Sequence, residues 1–206
     1  MANPRDLAAA SMKGDASDAR RAALLDAATR VFLRYGFKKT SMDDVARAAG
    51  VSRQGLYLHF ATKELLFKDA LLRFVTAMQT AMEEALAKDD RDVEERVLSA
   101  FEAVHGQALG EGIAENGDEL LEAAGALVGP ITEDLDRAVV AGVARTLKSS
   151  GIAAEWKPAG IAAKDLAEHL LAASYGWKHR VSNIGEYVAK MRVAVQLVCR
   201  RSRDKA

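Results

Sequence analysis

Residues 40–63 read TSMDDVARAAGVSRQGLYLHFATK, and this stretch decides the fold. Thr40 stands where an N-cap belongs and Asp43 falls in the following turn, where a carboxylate complements the helix dipole, so a helix is expected to open at Thr40. Met42, Val45, Ala46 and Ala49 then recur at i, i+3, i+4 and i+7, one buried face, and Gly50 supplies the left-handed residue that ends the helix after about two turns. Ser52 caps a second helix, with Val51 placed to meet Leu56 as a hydrophobic staple. Leu56 and Phe60, one turn apart, form its buried side. Gln54 and Leu58 point the other way, with Arg53 and Tyr57 on one flank and His59 on the other. A short helix, a glycine turn and a second helix with a polar N-terminal end is the helix-turn-helix arrangement, whose second helix enters the major groove of DNA.

The N-terminal end of that second helix is where side chains reach base edges. Arg53 suits a bidentate pair to guanine and Gln54 one to adenine, each good for about 1 to 3 kcal/mol of discrimination, and Leu58 on the same outer face suits contact with a thymine methyl. Lys38 and Lys39, just before the cap, suit phosphate.

Extended outward, the stretch is preceded by AALLDAATRVFLRYGFKKTS and followed by TKELLFKDAL. Over residues 20–72 the order of Gly36-Phe37, Thr40, Ala46, Gly50-Val51-Ser52, Leu56-Tyr57, His59-Phe60 and Lys63-Glu64 resembles the tetracycline-repressor (TetR) family of bacterial transcriptional regulators. Gln54, followed by Gly55, stands where many members carry glycine or proline. The resemblance implies that Thr40, Ser41, Tyr57, His59 and Lys63 position the phosphate backbone. For Tyr57 a half-buried core ring is the alternative. It also implies a homodimer on a palindromic operator in double-stranded DNA, with repression the usual outcome. Beyond Leu86 the sequence carries no family pattern.

Length and composition agree with a soluble globular chain: 206 residues, 50% of them hydrophobic, can bury a sizeable core. No apolar run is long enough to span a bilayer and the first residues lack a signal-peptide h-region, so a cytoplasmic protein without a membrane partner is expected. Cys199 is the only cysteine and follows Leu197 and Val198, which suits a packed thiol and leaves no multi-cysteine metal site. Net charge is zero but unevenly spread: residues 1–63 carry 11 Lys and Arg against 6 Asp and Glu. The excess of positive charge accompanies the helix-turn-helix, as a phosphate-facing domain requires.

Along the chain, residues 1–16 lack periodicity and are expected to be a disordered tail, with Arg5 and Lys13 as possible minor-groove contacts. Ser17 is expected to cap a first helix ending at Gly36. Thr62 caps a helix of about six turns through Ala85. Residues 92–109, 118–127 with Asp118 as cap, 130–151, 164–181 and 183–203 also read as helices. Glycines between 110 and 117 mark a turn, and 151–163 a long connection. The fold class is therefore all-α: a helix-turn-helix domain of three helices at 17–62, then a helical ligand-binding and dimerisation domain at 63–206.

Apolar residues lie on more than one face of the last two helices. Val188, Met191, Val195 and Val198 suggest an interface, and Ala172, Ala173, Ser174 and Gly176 allow close helix approach. A small apolar or amphipathic ligand is expected to bind between the long bridging helix and those after it, lined by Phe74, Met78, Met82, Phe101, His105 and Trp177, with Trp156 as an alternative to Trp177. His105 equally fits a hydrogen-bonded core histidine, and His169 invites the same two readings. His179, between Lys178 and Arg180, reads as solvated. No cofactor is implied, and no G-x-S-x-G, P-loop, HExxH or dinucleotide motif points to an enzyme. The residues leave two other readings open: a ligand-binding helical protein whose helix-turn-helix is only structural, and an enzyme with an all-helical site.

Overall fold

A computed structural model describes residues 4–110 and 117–199, with side chains described for 17–106 and 119–199. Among these residues every regular element is helical. In chain order they are α1 (Pro4–Tyr35), α2 (Met42–Ala48), α3 (Arg53–Tyr57), α4 (Lys63–Leu86), α5 (Val93–Gly110), α6 (Gly117–Leu127), α7 (Ile131–Ser149), α8 (Ile152–Trp156), α9 (Ala163–Lys178) and α10 (Ile184–Cys199). The described chain divides into two compact units, one of residues 4–74 with 117–129 and the other of 75–110 with 130–199.

The first unit differs from the expected 17–62 domain at both ends. α1 starts at Pro4, inside the stretch expected to be a disordered tail, and Ser17 lies within the helix instead of capping it. Proline is tolerated at the first helical position, and the alanines and leucine that follow have high helix propensity, which non-periodic sequence does not cancel. At the other end, the first turns of α4 and all of α6 belong with the helix-turn-helix. The unit's core draws Leu24, Val31 and Phe32 from α1, Val45 from α2, Leu56 from α3, Phe60, and Leu66 and Phe67 from α4. Leu120, Ala123 and Leu127 of α6 pack against it. Phe37 closes the core beside α1, its ring 4.9 Å from that of Phe67.

The second unit is built from α5, α7, α8, α9 and α10 with the second half of α4. Phe101, Val143, Leu147, Leu170, Tyr187, Met191 and Val195 are fully buried in its core. α7 comes close to α4 because Gly142 has no side chain, since a Cβ there would lie 2.8 Å from Leu86 Cδ1. The expected connection over 151–163 is folded. Gly151, at φ +82°, turns the chain into α8, and a 3₁₀ turn over Lys157–Ala159 follows. The Trp156 indole N–H fixes this segment by donating to the Val198 carbonyl at 2.9 Å.

α10 corrects one reading of its face. Met191, Val195 and Val198 point into the chain's own core, as does Ser174 of α9. The broad apolar arc therefore has two parts, an inner part satisfied within the unit and an outer part carrying Val193 and Leu197, exposed at 56% and 61%. α6 opens at Gly117, so Asp118 falls within the helix instead of capping it. The turn at 111–116, the extension to Arg203 and the side chains of Arg5 and Lys13 lie outside the described residues. Among the described residues no helix is long and apolar enough to cross a membrane.

Candidate nucleic-acid interface

α2 opens one residue later than the sequence suggests. Ser41 is the N-cap: its hydroxyl accepts from the Asp44 backbone N–H at 3.2 Å, while the Asp44 carboxylate takes the Ser41 N–H at 3.0 Å. Those two bonds form a capping box, and the Ser41 hydroxyl, donating to the Asp44 carboxylate at 2.5 Å, together with the Ser41 N–H holds that carboxyl below its usual range. Thr40 turns inward instead. It is buried, and its hydroxyl donates to the Gly36 carbonyl at 2.7 Å, so the expected cap and phosphate contact at Thr40 gives way to a lock on the end of α1. The branched side chain accounts for this, because its methyl gains a core while its hydroxyl reaches a helix-terminal carbonyl.

Gly50 has φ +66° and turns the chain between the two helices. Ser52 then caps α3, accepting from the Gly55 N–H at 3.0 Å. The helical pattern of bonds runs on past α3, from the Leu58 N–H to Gln54 and from the Phe60 N–H to Leu56. With Leu56 and Phe60 buried, Arg53, Gln54, Tyr57 and Leu58 are exposed on the other side, and His59 is half-buried. Leu58 is 83% exposed. So large an apolar surface in water is costly unless a partner covers it.

Arg53 is already engaged. Its guanidinium pairs with Asp43 at 3.0 Å and lies 5.6 Å from the Tyr57 ring centroid. Asp43, first read as a dipole-complementing residue, is thus the partner that aims Arg53. Its ten-residue separation gives no periodic signal in the sequence. The far end of the reading helix is braced by Arg21, whose guanidinium sits 4.7 Å from the Phe60 ring and pairs with Asp69 of α4 at 2.5 Å.

Lys63 is also placed differently from expectation. Its ammonium donates to the carbonyls of Phe37 and Thr40, both at 3.1 Å, and lies 4.3 Å from the Phe37 ring centroid. It therefore holds the loop that delivers Ser41. From the opposite side Glu119 of α6 accepts the Lys38 backbone N–H at 2.5 Å, and Glu122 pairs with the Lys38 ammonium at 3.3 Å. A Cβ on Gly36 would run into the Glu119 carboxylate, and its φ of +81° also demands glycine. Sequence separation hid α6 as a support of this surface.

The expected pocket residues do not gather in one unit. Phe74 lines a small apolar cavity of about 40 Å³ in the first unit with Phe32, Phe67, Leu71 and Leu120. Met78, Met82, Phe101, His105 and Trp177 all belong to the second unit, with Met82, Phe101 and His105 fully packed. His169 and His179 are exposed.

A capped two-helix reading unit, held on a base formed by α1, α4 and α6, defines an all-α helix-turn-helix protein. Residues 24–70 match the model of the bacterial regulatory proteins of the tetR family. The family likeness thus covers the helix-turn-helix segment of the chain. The chain is 35% identical over 103 residues to the HTH-type transcriptional regulator YfiR of Bacillus subtilis, covering 50% of this chain and 47% of that protein. It is 38% identical over 86 residues to the HTH-type transcriptional activator FasR of Mycolicibacterium smegmatis, covering 42% and 39%. The chain thus spans about half or less of the length of these curated relatives. The fold extends further: a TetR transcriptional regulator from Legionella pneumophila superposes with TM-score 0.65 at 13% identity, covering 85% of this chain and 94% of that one.

Proposed function

We propose that this protein is a dimeric, sequence-specific transcriptional repressor that a small-molecule ligand releases from its operator. The observation that carries the reading is the outer side of α3, where Arg53 and Gln54 stand exposed at the N-terminal end beside the uncovered Leu58. Arg53 and Gln54 read bases, Leu58 covers a thymine methyl, and Ser41, Tyr57 and His59 position phosphates. Lys63 acts one step back, fixing the loop before Ser41. The experiment is selection of bound duplexes from a random pool: an inverted repeat with half-sites about one helical turn apart supports both sequence reading and twofold symmetry. Recovery of no preferred duplex removes the reading.

Dimerisation is assigned to the outer sides of α9 and α10, where Ala172, Gly176, Val193 and Leu197 are exposed. Small residues on α9 allow close approach, and the two aliphatic side chains on α10 supply area to bury. The effector site is assigned to the second unit. α4 runs through both units, so a ligand that favours one setting of α4 biases the surface that Lys63 holds. Linkage then requires that DNA weaken ligand binding by the same factor by which ligand weakens DNA binding.

A further inference from the structure

Within the second unit a small set of polar groups is enclosed among apolar side chains of α5, α7, α9 and α10. His105 is buried, and its Nε2 lies 3.2 Å from Ser174 Oγ. The Ser174 hydroxyl has one proton and gives it to the Leu171 carbonyl at 2.7 Å. Nε2 must therefore be the donor in the contact between the two, which fixes the neutral tautomer. Tyr175 and Tyr187 meet the imidazole edge-on, with ring centroids 5.4 and 5.6 Å away. The Tyr175 hydroxyl donates to Asp136 of α7 at 2.6 Å.

The Tyr187 hydroxyl is different. It is fully enclosed beside the Ser174 hydroxyl, which interacts with it, yet among the described residues it is the one buried side-chain nitrogen or oxygen without a hydrogen bond of good geometry. An unmade bond at such a group is costly, and phenylalanine would fill the same space without that cost. The hydroxyl therefore stands as a donor without a well-aligned acceptor.

We propose that the Tyr187 hydroxyl is the recognition donor of the effector site, and that the ligand is an uncharged molecule presenting a carbonyl oxygen to it from an apolar body. The neighbouring charges argue for neutrality. Lys178 and Asp136 offset one another, His105 is neutral, and His179 is exposed at the rim. An ionised ligand would bring an uncompensated charge into a low-dielectric site. The donors of His105 and Tyr175 are already spent, so the ligand needs an acceptor oxygen and no donor of its own. Met191, one turn beyond Tyr187 on α10 and fully buried, is the flexible side chain whose rearrangement makes room.

This inference rests on the reading of the second unit as the effector-sensing body. The test uses the full chain without DNA, carrying ¹⁵N in its histidine rings and ¹³C in its tyrosine rings. Three ring-matched probes, cyclohexanone, cyclohexanecarboxylate and cyclohexylammonium, are titrated and followed by NMR. Cyclohexanone is expected to shift the His105 and Tyr187 signals saturably while the two charged probes leave them in place. Tyr187→Phe is expected to melt at or above the wild-type temperature and to lose the response. No shift with cyclohexanone, an equal shift with the carboxylate, a response retained in Tyr187→Phe, or a fall of several degrees in that variant's melting temperature would each overturn the proposal. Failure here leaves the DNA reading standing, whereas failure to select a duplex removes the regulator and leaves a carbonyl site without that output.

Discussion

Arg53 and Lys63 carry the same charge and stand ten residues apart, but their surroundings give them different work. Arg53 is exposed, so its pair with Asp43 adds little to stability and can be exchanged for a base. Arg53→Ala is accordingly expected to cost about 1 to 3 kcal/mol on the preferred duplex and much less on random duplex, measured by competition binding. Asp43→Asn is expected to raise affinity for every duplex and narrow the gap between specific and random, because it removes a negative charge and frees the guanidinium. Lys63 satisfies two carbonyls, so Lys63→Met, which keeps the stem over Phe37, is expected to destabilise the protein by about 1 to 3 kcal/mol in urea unfolding. An unchanged stability with a shallower salt dependence of DNA binding would return Lys63 to the phosphate.

His105 gives the chain a dependence on pH with a definite sign. Burial, together with the charges of Lys178 and His179, pushes its pKa down to about 3, against about 6.5 in an unfolded chain. Between those values the unfolded chain binds the extra proton, so stability is lost as pH falls through that window. At pH 5 the loss from this residue is about 2 kcal/mol relative to pH 7. Urea titrations at the two pH values should show it, and His105→Gln should flatten the difference.

At the scale of elements, the opening of α2 depends on which of two adjacent hydroxyls turns outward. Ser41→Ala removes the capping box and is expected to cost about 1 kcal/mol, with DNA affinity falling in step as the helix N-terminus frays. The sequence made the two reading helices legible because their signals are local: Val45, Ala46, Leu56 and Phe60 keep helical spacing, and Gly50 and Ser52 punctuate it. Thr40 and Ser41 could not be told apart in that way. The choice is made by the Gly36 carbonyl, which the fold brings to Thr40. The same holds for Asp43 with Arg53 and for Glu119 with the Lys38 N–H, pairs that chain topology creates and no periodicity announces. In α10, periodicity showed that the helix was apolar on more than one side. It could not show that Met191, Val195 and Val198 are covered by the chain's own helices.

For the whole molecule, that distinction directs the mutations. Leu197→Asp on the outer side of α10 is expected to leave folding intact and shift the sedimenting species from dimer to monomer, whereas Val195→Asp on the inner side is expected to unfold the second unit. Loss of twofold pairing should reduce affinity for an inverted repeat far more than affinity for a single half-site. A wild-type monomer at micromolar concentration would end the dimer assignment.

The presence of α6 in the first unit bears on how this protein can be taken apart. Its reading head is discontinuous in sequence: α1 to the first turns of α4 come from one end of the chain, while Leu120, Ala123 and Leu127 arrive from beyond α5. A chimera joined after Phe74 would transplant the exposed residues of α3 but remove Leu120 from the apolar site it shares with Phe32, Phe67 and Leu71, and it would release the Lys38 N–H from Glu119. Such a graft should be poorly soluble and recover only when the α6 segment is supplied with it. On the proposed function, recognition specificity would therefore not be portable as a single N-terminal cassette.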